Sequence, residues 1–166
     1  MASKAVAIAT LVLRIFTLIS LATCIVVLAT NTITDTDGNR TTFKVLIAYR
    51  YVIATAGIGL AYTVIQIPFV IYHVCTGKRM IPNSCLPEFD FYGDKVIGFL
   101  LATGVGVGFG VTFELKRLFK GLDSDLDKFL QRGNIATALL FVGFITMLIL
   151  SILSSITRNT RNGSFG

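Results

Sequence analysis

The stretch VIGFLLATGVGVGFGVTF, residues 96–113, has no charged side chain and contains a run in which every second residue, from Gly104 to Gly110, is glycine. In water, such an alternation with larger apolar residues would favour a β-strand. In a lipid bilayer, the backbone must satisfy its hydrogen bonds within the segment, so the same stretch must be a helix. The solvent around residues 96–113 therefore decides the fold, and the rest of the chain identifies that solvent.

The composition is that of a membrane protein. The 166 residues are 54% hydrophobic and only 14% charged, and the mean hydropathy is +0.76. Soluble domains carry about 25% charged residues. The formal net charge is +6. Because the basic residues lie between apolar runs, we predict membrane lipids with anionic headgroups as partners, and no nucleic acid.

Four apolar segments are long enough to cross a bilayer as helices, which takes about 20 residues each. The predicted spans lie at about residues 5–29, 46–74, 93–113 and 134–156. A transmembrane barrel would need short segments of alternating polarity, which these runs do not show. We therefore predict an all-α fold, an integral membrane four-helix transmembrane bundle. Residues 1–166 form a single domain, with residues 157–166 as a short tail.

Two connecting segments have predictable local structure. Residues 114–132 carry apolar side chains at helical spacing, which predicts a short amphipathic segment lying on the membrane interface. Residues 75–93 contain Pro82 and Pro87. Because the residue before a proline is biased away from the α conformation, we predict an extended connector here.

The residues alone leave the orientation open. An even number of spans puts both termini on one side, and the lysine and arginine counts weakly favour that side being outside. The glycosylation sequon at Asn39 is usable only if the first loop faces the lumen. A second sequon, at Asn162 in the last residues of the chain, would require the opposite arrangement.

No motif indicates chemistry. The chain has a single histidine, His73, and its three cysteines, Cys24, Cys75 and Cys85, lack metal-binding spacing. No nucleophile elbow or phosphate-binding loop is present in the sequence. We predict no catalytic residue, no metal, no cofactor and no enzymatic activity.

Two charged residues fall inside or beside the predicted spans. Arg14 lies within the first span, where a charge costs about 2.5–3.5 kcal/mol on insertion scales. Asp94 lies at the start of the third span, which runs in the same direction. The two could form an ion pair that lowers the cost of both. They could equally be two separate charges, each extending to the headgroups.

The third span also carries stripes of small residues. Steps of four from Asp94 give one stripe, and two further glycines lie on the adjacent face. Stripes of this kind let helix backbones approach closely in lipid, either within one bundle or between protomers. The predicted helix-packing residues are Gly98, Ala102, Gly104, Gly106, Gly108 and Gly110.

The chain resembles a known family across nearly its whole length. The resemblance rests on VLRIFTLISLATCIVVLATN at residues 12–31, YRYVIATAGIGLAYTVIQIP at residues 49–68 and FYGDKVIGFLLATG at residues 91–104. These resemble the Casparian strip membrane domain proteins and their CASP-like relatives of land plants, which are distantly similar to MARVEL proteins. Arg14 and Asp94 match the family's helix 1 arginine and helix 3 aspartate.

The resemblance implies a non-enzymatic scaffold in the plasma membrane of a plant cell, with both termini in the cytosol. It implies homodimers, heterodimers and higher oligomers with CASP-like proteins, and cell-wall-modifying enzymes as partners. Asn39 would then face the cell wall as a glycosylation site. The first loop lacks the signature of strip-forming members, so the chain resembles a CASP-like relative. The alternative function is a small transporter or channel subunit that uses its intramembrane charges.

Overall fold

A computed structural model describes residues 2–34, 40–42, 46–76, 85–118 and 124–162. The described chain contains four helices, and each includes a segment long and apolar enough to cross a membrane. The predicted all-α, four-helix transmembrane fold is confirmed. The helices are α1 (Ala2–Ala29), α2 (Ile47–Thr76), α3 (Cys85–Leu118) and α4 (Ser124–Asn162). The candidate spans within them are Ala5–Ala29, Ile47–Tyr72, Phe91–Leu118 and Leu126–Ile156.

A small hairpin, absent from the sequence prediction, follows the first helix. Strands β1 (Thr32–Thr34) and β2 (Arg40–Thr42) pair antiparallel, with Thr32 opposite Thr42 and Thr34 opposite Arg40. Three-residue strands are too short to give a clear periodic signal in the sequence. The hairpin lies at the end of the bundle opposite the two termini.

The prediction of an extended connector at residues 75–93 was wrong for residues 75–76 and 85–93, which belong to α2 and α3. Helix α3 begins at Cys85, so Pro87 lies in its first turn. The first backbone N–H groups of a helix have no acceptor within the helix, and a proline there removes no hydrogen bond. Pro82 lies outside the described residues.

The prediction of a separate amphipathic segment at residues 114–132 was also wrong. Residues 114–118 continue α3, and residues 124–132 form the start of α4. Phe129 and Leu130 are buried in the core of the bundle. The apolar spacing in this segment marks the face of α4 that packs against its neighbours. Residues 119–123 are not described.

The helices form a ring in chain order. Each packs mainly against its two neighbours, and α4 closes the ring by packing on α1. Consequently, α1 and α3 face each other across one diagonal, and α2 and α4 face each other across the other. Both termini lie at one end, here called the terminal side.

The interior combines apolar with polar side chains, and the exterior is apolar. On the outer surface, the large side chains of Phe99 and Phe113 are 74% and 69% exposed. In lipid, exposing an apolar side chain costs no free energy. Close packing and hydrogen bonds between helices therefore hold the bundle together. The buried polar or charged residues are Arg14, Thr17, Ser20, Asn31, Thr55, Thr63, Gln66, Asp94, Thr112, Thr137 and Thr146.

The glycines of α3 fall into an inner and an outer group. A Cβ atom on Gly104 would meet Thr55 of α2 and lie 3.0 Å from a methyl group of Leu140 in α4. One on Gly108 would lie 2.5 Å from the hydroxyl oxygen of Thr137 in α4. These two glycines allow the neighbouring helices to approach α3 closely.

The other small residues of α3 are not packed in this way. Gly106 and Gly110 are exposed, and a Cβ atom on either would meet nothing within 4 Å. Gly98 is buried but also has open space at its Cβ position, and Ala102 is half-buried. The alternation of glycines along the sequence therefore places consecutive glycines alternately inside and outside the bundle.

We predict that Gly108→Ala lowers the free energy of unfolding by about 1–3 kcal/mol, the usual cost of overpacking. The hydroxyl of Thr137 donates to the backbone oxygen of Gly133, so it cannot move away without losing that bond. The measurement is the thermal unfolding midpoint in detergent micelles. Gly110→Ala is the matched control and should leave stability unchanged or raise it by about 0.5–1 kcal/mol. Equal effects of the two substitutions would contradict this packing.

Candidate functional site

The two charged residues start at different depths along their helices. Arg14 lies nine residues into the first span, which begins at Ala5, whereas Asp94 lies three residues into the third, which begins at Phe91. At about 1.5 Å of rise per residue, the two Cα atoms are about 13 Å and about 4–5 Å from the starts of their spans. Helical side chains lean toward the N-terminus, so the Arg14 side chain extends back toward the terminal side and reaches the level of Asp94.

The structure brings Arg14 and Asp94 together. Nη2 of Arg14 lies 3.3 Å from Oδ1 and 3.3 Å from Oδ2 of Asp94. The two side chains are only 2% and 1% exposed. The pair crosses the diagonal between α1 and α3, two helices that otherwise make few contacts. A long arginine side chain is what spans that gap.

Helix α2 completes the network from the side. The Tyr62 hydroxyl donates a 2.8 Å hydrogen bond to Oδ1 of Asp94, and Nε2 of Gln66 donates to the Tyr62 oxygen at 3.0 Å. The guanidinium of Arg14 also lies 5.9 Å from the centre of the Tyr62 ring, within range of a cation–π interaction. Three helices thus share one buried charge cluster.

Gly93 makes room for this arrangement. A Cβ atom there would lie 2.5 Å from the Tyr62 hydroxyl oxygen and 2.8 Å from ring atom Cε2. Only glycine lets the tyrosine ring come so close to α3 that its hydroxyl reaches the neighbouring Asp94. Sequence reasoning missed both Gly93 and Tyr62. The available signals were the Gly-Asp pair itself and the i, i+4 spacing of Tyr62 and Gln66 on one helix face.

A second polar cluster joins the other diagonal at the opposite end. The hydroxyl groups of Tyr49 in α2 and Thr112 in α3 lie 3.1 Å apart. The rings of Tyr49 and Phe129 in α4 meet edge to face with centroids 5.8 Å apart. After α1, Nδ2 of Asn31 donates to the backbone oxygen of Phe129 at 3.0 Å. Among the described residues, the Tyr49–Phe129 contact thus crosses the α2–α4 diagonal near the side opposite the termini, as the Arg14–Asp94 pair crosses the α1–α3 diagonal near the terminal side.

The remaining candidates do not assemble into a chemical site. Cys24, in α1, is a buried free thiol, and Cys75, near the end of α2, is an exposed free thiol. Among the residues that the structure describes, no three His, Cys, Asp or Glu side chains come together in a way that could hold a metal ion. Asn39 and the side chains of His73 and Cys85 lie outside the described part of the chain.

The fold and this cluster define a class: a multi-pass helical membrane protein whose four spans are tied across a diagonal by a buried arginine–aspartate pair. Over residues 3–146, the chain matches the family described as Casparian strip membrane protein domain. The protein belongs to this family, and the predicted resemblance is confirmed.

Curated plant relatives cover most of the chain. CASP-like protein 4D1 of Ricinus communis is 45% identical over 150 residues, which is 89% of each chain. CASP-like protein 4D2 of Arabidopsis thaliana is 40% identical over 160 residues, covering 92% of this chain and 90% of the relative. CASP-like protein 4D1 of Populus trichocarpa is 39% identical over 150 residues, covering 87% and 83%. No solved structure matches the chain significantly.

We predict strong coupling between Arg14 and Asp94. Arg14→Met or Asp94→Leu alone should each cost about 3–5 kcal/mol, because each leaves one buried charge unpaired. The double variant should be more stable than either single variant, since it leaves no charge behind. The measurement is a double-mutant cycle of unfolding free energies.

Arg50→Met, at an exposed arginine of α2, is the control and should change stability by less than about 0.5 kcal/mol. Additive effects would show that the two charges do not interact.

Proposed function

We propose that the protein is a non-enzymatic scaffold of the plasma membrane, whose protomers associate through α3 into membrane domains. The observation that carries this proposal is the outer glycine face of α3, formed by Gly106 and Gly110. Oligomers with other CASP-like proteins and contacts between the loops and cell-wall-modifying enzymes belong to the same proposal. Membership of the CASP family supports it.

Nothing within the described monomer accounts for the outer glycines. Glycine in an exposed helix interior costs about 0.5–1 kcal/mol relative to alanine. At Gly106 and Gly110, an added Cβ atom would meet nothing within 4 Å, so the absence of a side chain brings the monomer no closer packing. A second helix approaching closely would give such a gain, because small residues let backbones come into van der Waals contact.

A polar pair on the same face adds to this argument. Thr103 lies one helical turn before Gly106 and is exposed. Its hydroxyl donates to the backbone oxygen of Leu100 at 2.7 Å, and Tyr51 of α2 lies 2.9 Å away. The Tyr51 hydroxyl therefore donates to the Thr103 oxygen, and the Tyr51 oxygen can still accept a hydrogen bond. An adjacent protomer can donate to it, and such interhelical bonds are worth about 0.6 kcal/mol each in membranes.

The proposed orientation places both termini in the cytosol. Strands β1 and β2 lie on the side opposite the termini, and Asn39 falls between them in the sequence, so in this orientation it would face the cell wall. On that side, Asn39 would be available to the glycosylation machinery during synthesis. The weak excess of lysine and arginine there argues against this orientation, but a small excess does not by itself set the topology.

We predict that Gly106→Leu and Gly110→Leu, alone or together, shift the protein from oligomers toward monomers. The leucine side chains would hold a second α3 away, and their Cβ atoms would meet nothing within 4 Å in their own protomer. Subunits can be counted from the photobleaching steps of tagged protein in native membranes. Ala138→Leu, at an exposed small residue of α4, is the matched control and should leave the subunit number unchanged. An unchanged distribution in the α3 variants would refute association through this face.

For orientation, we predict that Asn39→Gln abolishes a glycan-dependent mass shift of protein expressed in plant cells. Asn162→Gln should have no effect on that shift, because the tail would never enter the lumen. The mass is compared before and after enzymatic deglycosylation. A shift that depends on Asn162 would invert the proposed topology.

A further inference from the structure

We propose that Arg14 is a hydrated site: water entering from the terminal side binds the edge of its guanidinium formed by Nε and Nη1. This site is distinct from the contact with Asp94, and the inference does not depend on the protein's acting as a scaffold. It rests on the hydrogen-bond geometry of one buried side chain and on the arrangement of polar and apolar layers around it.

The first observation is an excess of donors. A guanidinium has five N–H groups, and in Arg14 only Nη2 points at the carboxylate of Asp94. Nε and Nη1 are buried, and among the described residues they have no acceptor. An unmet donor on a buried charged group is costly, because that group has lost its hydration without replacement. Small buried sites of this kind are where proteins hold internal water.

The second observation is the length of the ion pair. Charge-assisted N–H···O bonds are about 2.7–2.9 Å long, whereas both Arg14–Asp94 distances are 3.3 Å. The carboxylate is instead bonded more tightly by the Tyr62 hydroxyl, at 2.8 Å. The guanidinium therefore contacts the carboxylate only through Nη2, and its edge formed by Nε and Nη1 has no acceptor among the described residues.

The chemistry of the site favours water over an anionic lipid headgroup. Arg14 and Asp94 already neutralise each other, so a further anion would give the buried cluster a net negative charge. The two donor nitrogens are enclosed by the chain, which favours a small acceptor such as water. Water can also donate a hydrogen bond to the carboxylate, whereas an ionised phosphate diester has no proton to donate.

The layers around Arg14 set the direction of entry. The Arg14 guanidinium extends toward the terminal side to contact Asp94, and the Tyr62 hydroxyl and the Gln66 amide continue this polar network. Deeper in the bundle, the buried side chains of Leu21, Leu101 and Leu140 belong to the apolar core. The polar network thus lies on the terminal side of an apolar layer, and the proposal places the entry of water on that side.

The test uses the full chain, labelled with ¹⁵N and reconstituted in phosphatidylcholine liposomes. Solid-state NMR measures magnetisation transfer from water, and separately from lipid phosphorus, to the Nε–H of Arg14. That signal is identified by its loss in Arg14→Lys. The exposed Arg50 is the hydrated reference, and the backbone N–H of Leu101 is the dry one.

We expect transfer from water to Arg14 as for Arg50, and none from phosphorus. Transfer from phosphorus would assign the site to a lipid headgroup, and no transfer would show a dry ion pair; either result overturns the proposal.

The direction of entry is tested with single cysteines in a chain carrying Cys24→Ala, Cys75→Ser and Cys85→Ser. Gln66→Cys should lose its free thiol to Ag⁺, a thiol-binding ion close to water in size, added on the terminal side, and not on the other. Leu101→Cys, in the apolar layer, is the matched control and should keep its thiol from both sides. Protection of Gln66→Cys on the terminal side, or reaction from the other side, would contradict the one-sided inlet.

Discussion

A guanidinium inside a lipid-embedded bundle requires a carboxylate and further polar atoms within reach, and this requirement orders the terminal half of the molecule. Arg14 starts well inside the first span and reaches back toward the terminal side, where Asp94 lies near the start of α3. The two helices are diagonal partners, so their charges meet only if α2 and α4 hold the ring closed around them. Tyr62 then fits because Gly93 has no side chain.

Elsewhere, threonine and glycine carry the contacts between helices. Gly104 and Gly108 admit threonines from α2 and α4, and the hydroxyls of Thr17 and Thr146 lie 2.8 Å apart between α1 and α4. A soluble bundle would hold these surfaces together by removing apolar area from water. In a bilayer that driving force is missing between helices, so close approach and hydrogen bonding replace it. The polar interior is the expected result of that change of solvent.

The two glycine groups of α3 separate the folding of one chain from the association proposed for several chains. The inner group has partners in the monomer, whereas the outer group has open space. The proposed scaffold needs both properties: a bundle closed by its own contacts and a face left for a second protomer. The hydrated edge of Arg14 would add a third property, a cluster that water reaches from one side only.

Much of this architecture is readable from the sequence. Apolar length predicts four helices because a bilayer core demands about 20 residues per span, and the isolated charges Arg14 and Asp94 stand out because charges in lipid are costly. Other features are invisible to such reasoning. Whether Gly106 or Gly108 faces inward depends on the rotation of α3 against its neighbours, which the repeating glycines leave ambiguous.

Likewise, Tyr62 and Gly93 lie 31 positions apart, and nothing local marks them as neighbours. Pro87 in the first turn of α3, and the burial of Phe129 in α4, were misjudged because helix boundaries depend on packing as well as on local preference. The sequence by itself thus determined the class of fold and its charged residues, since both follow from the energy of transfer into lipid. The tertiary structure alone decided which helix faces meet, because that choice depends on contacts between residues distant in the chain.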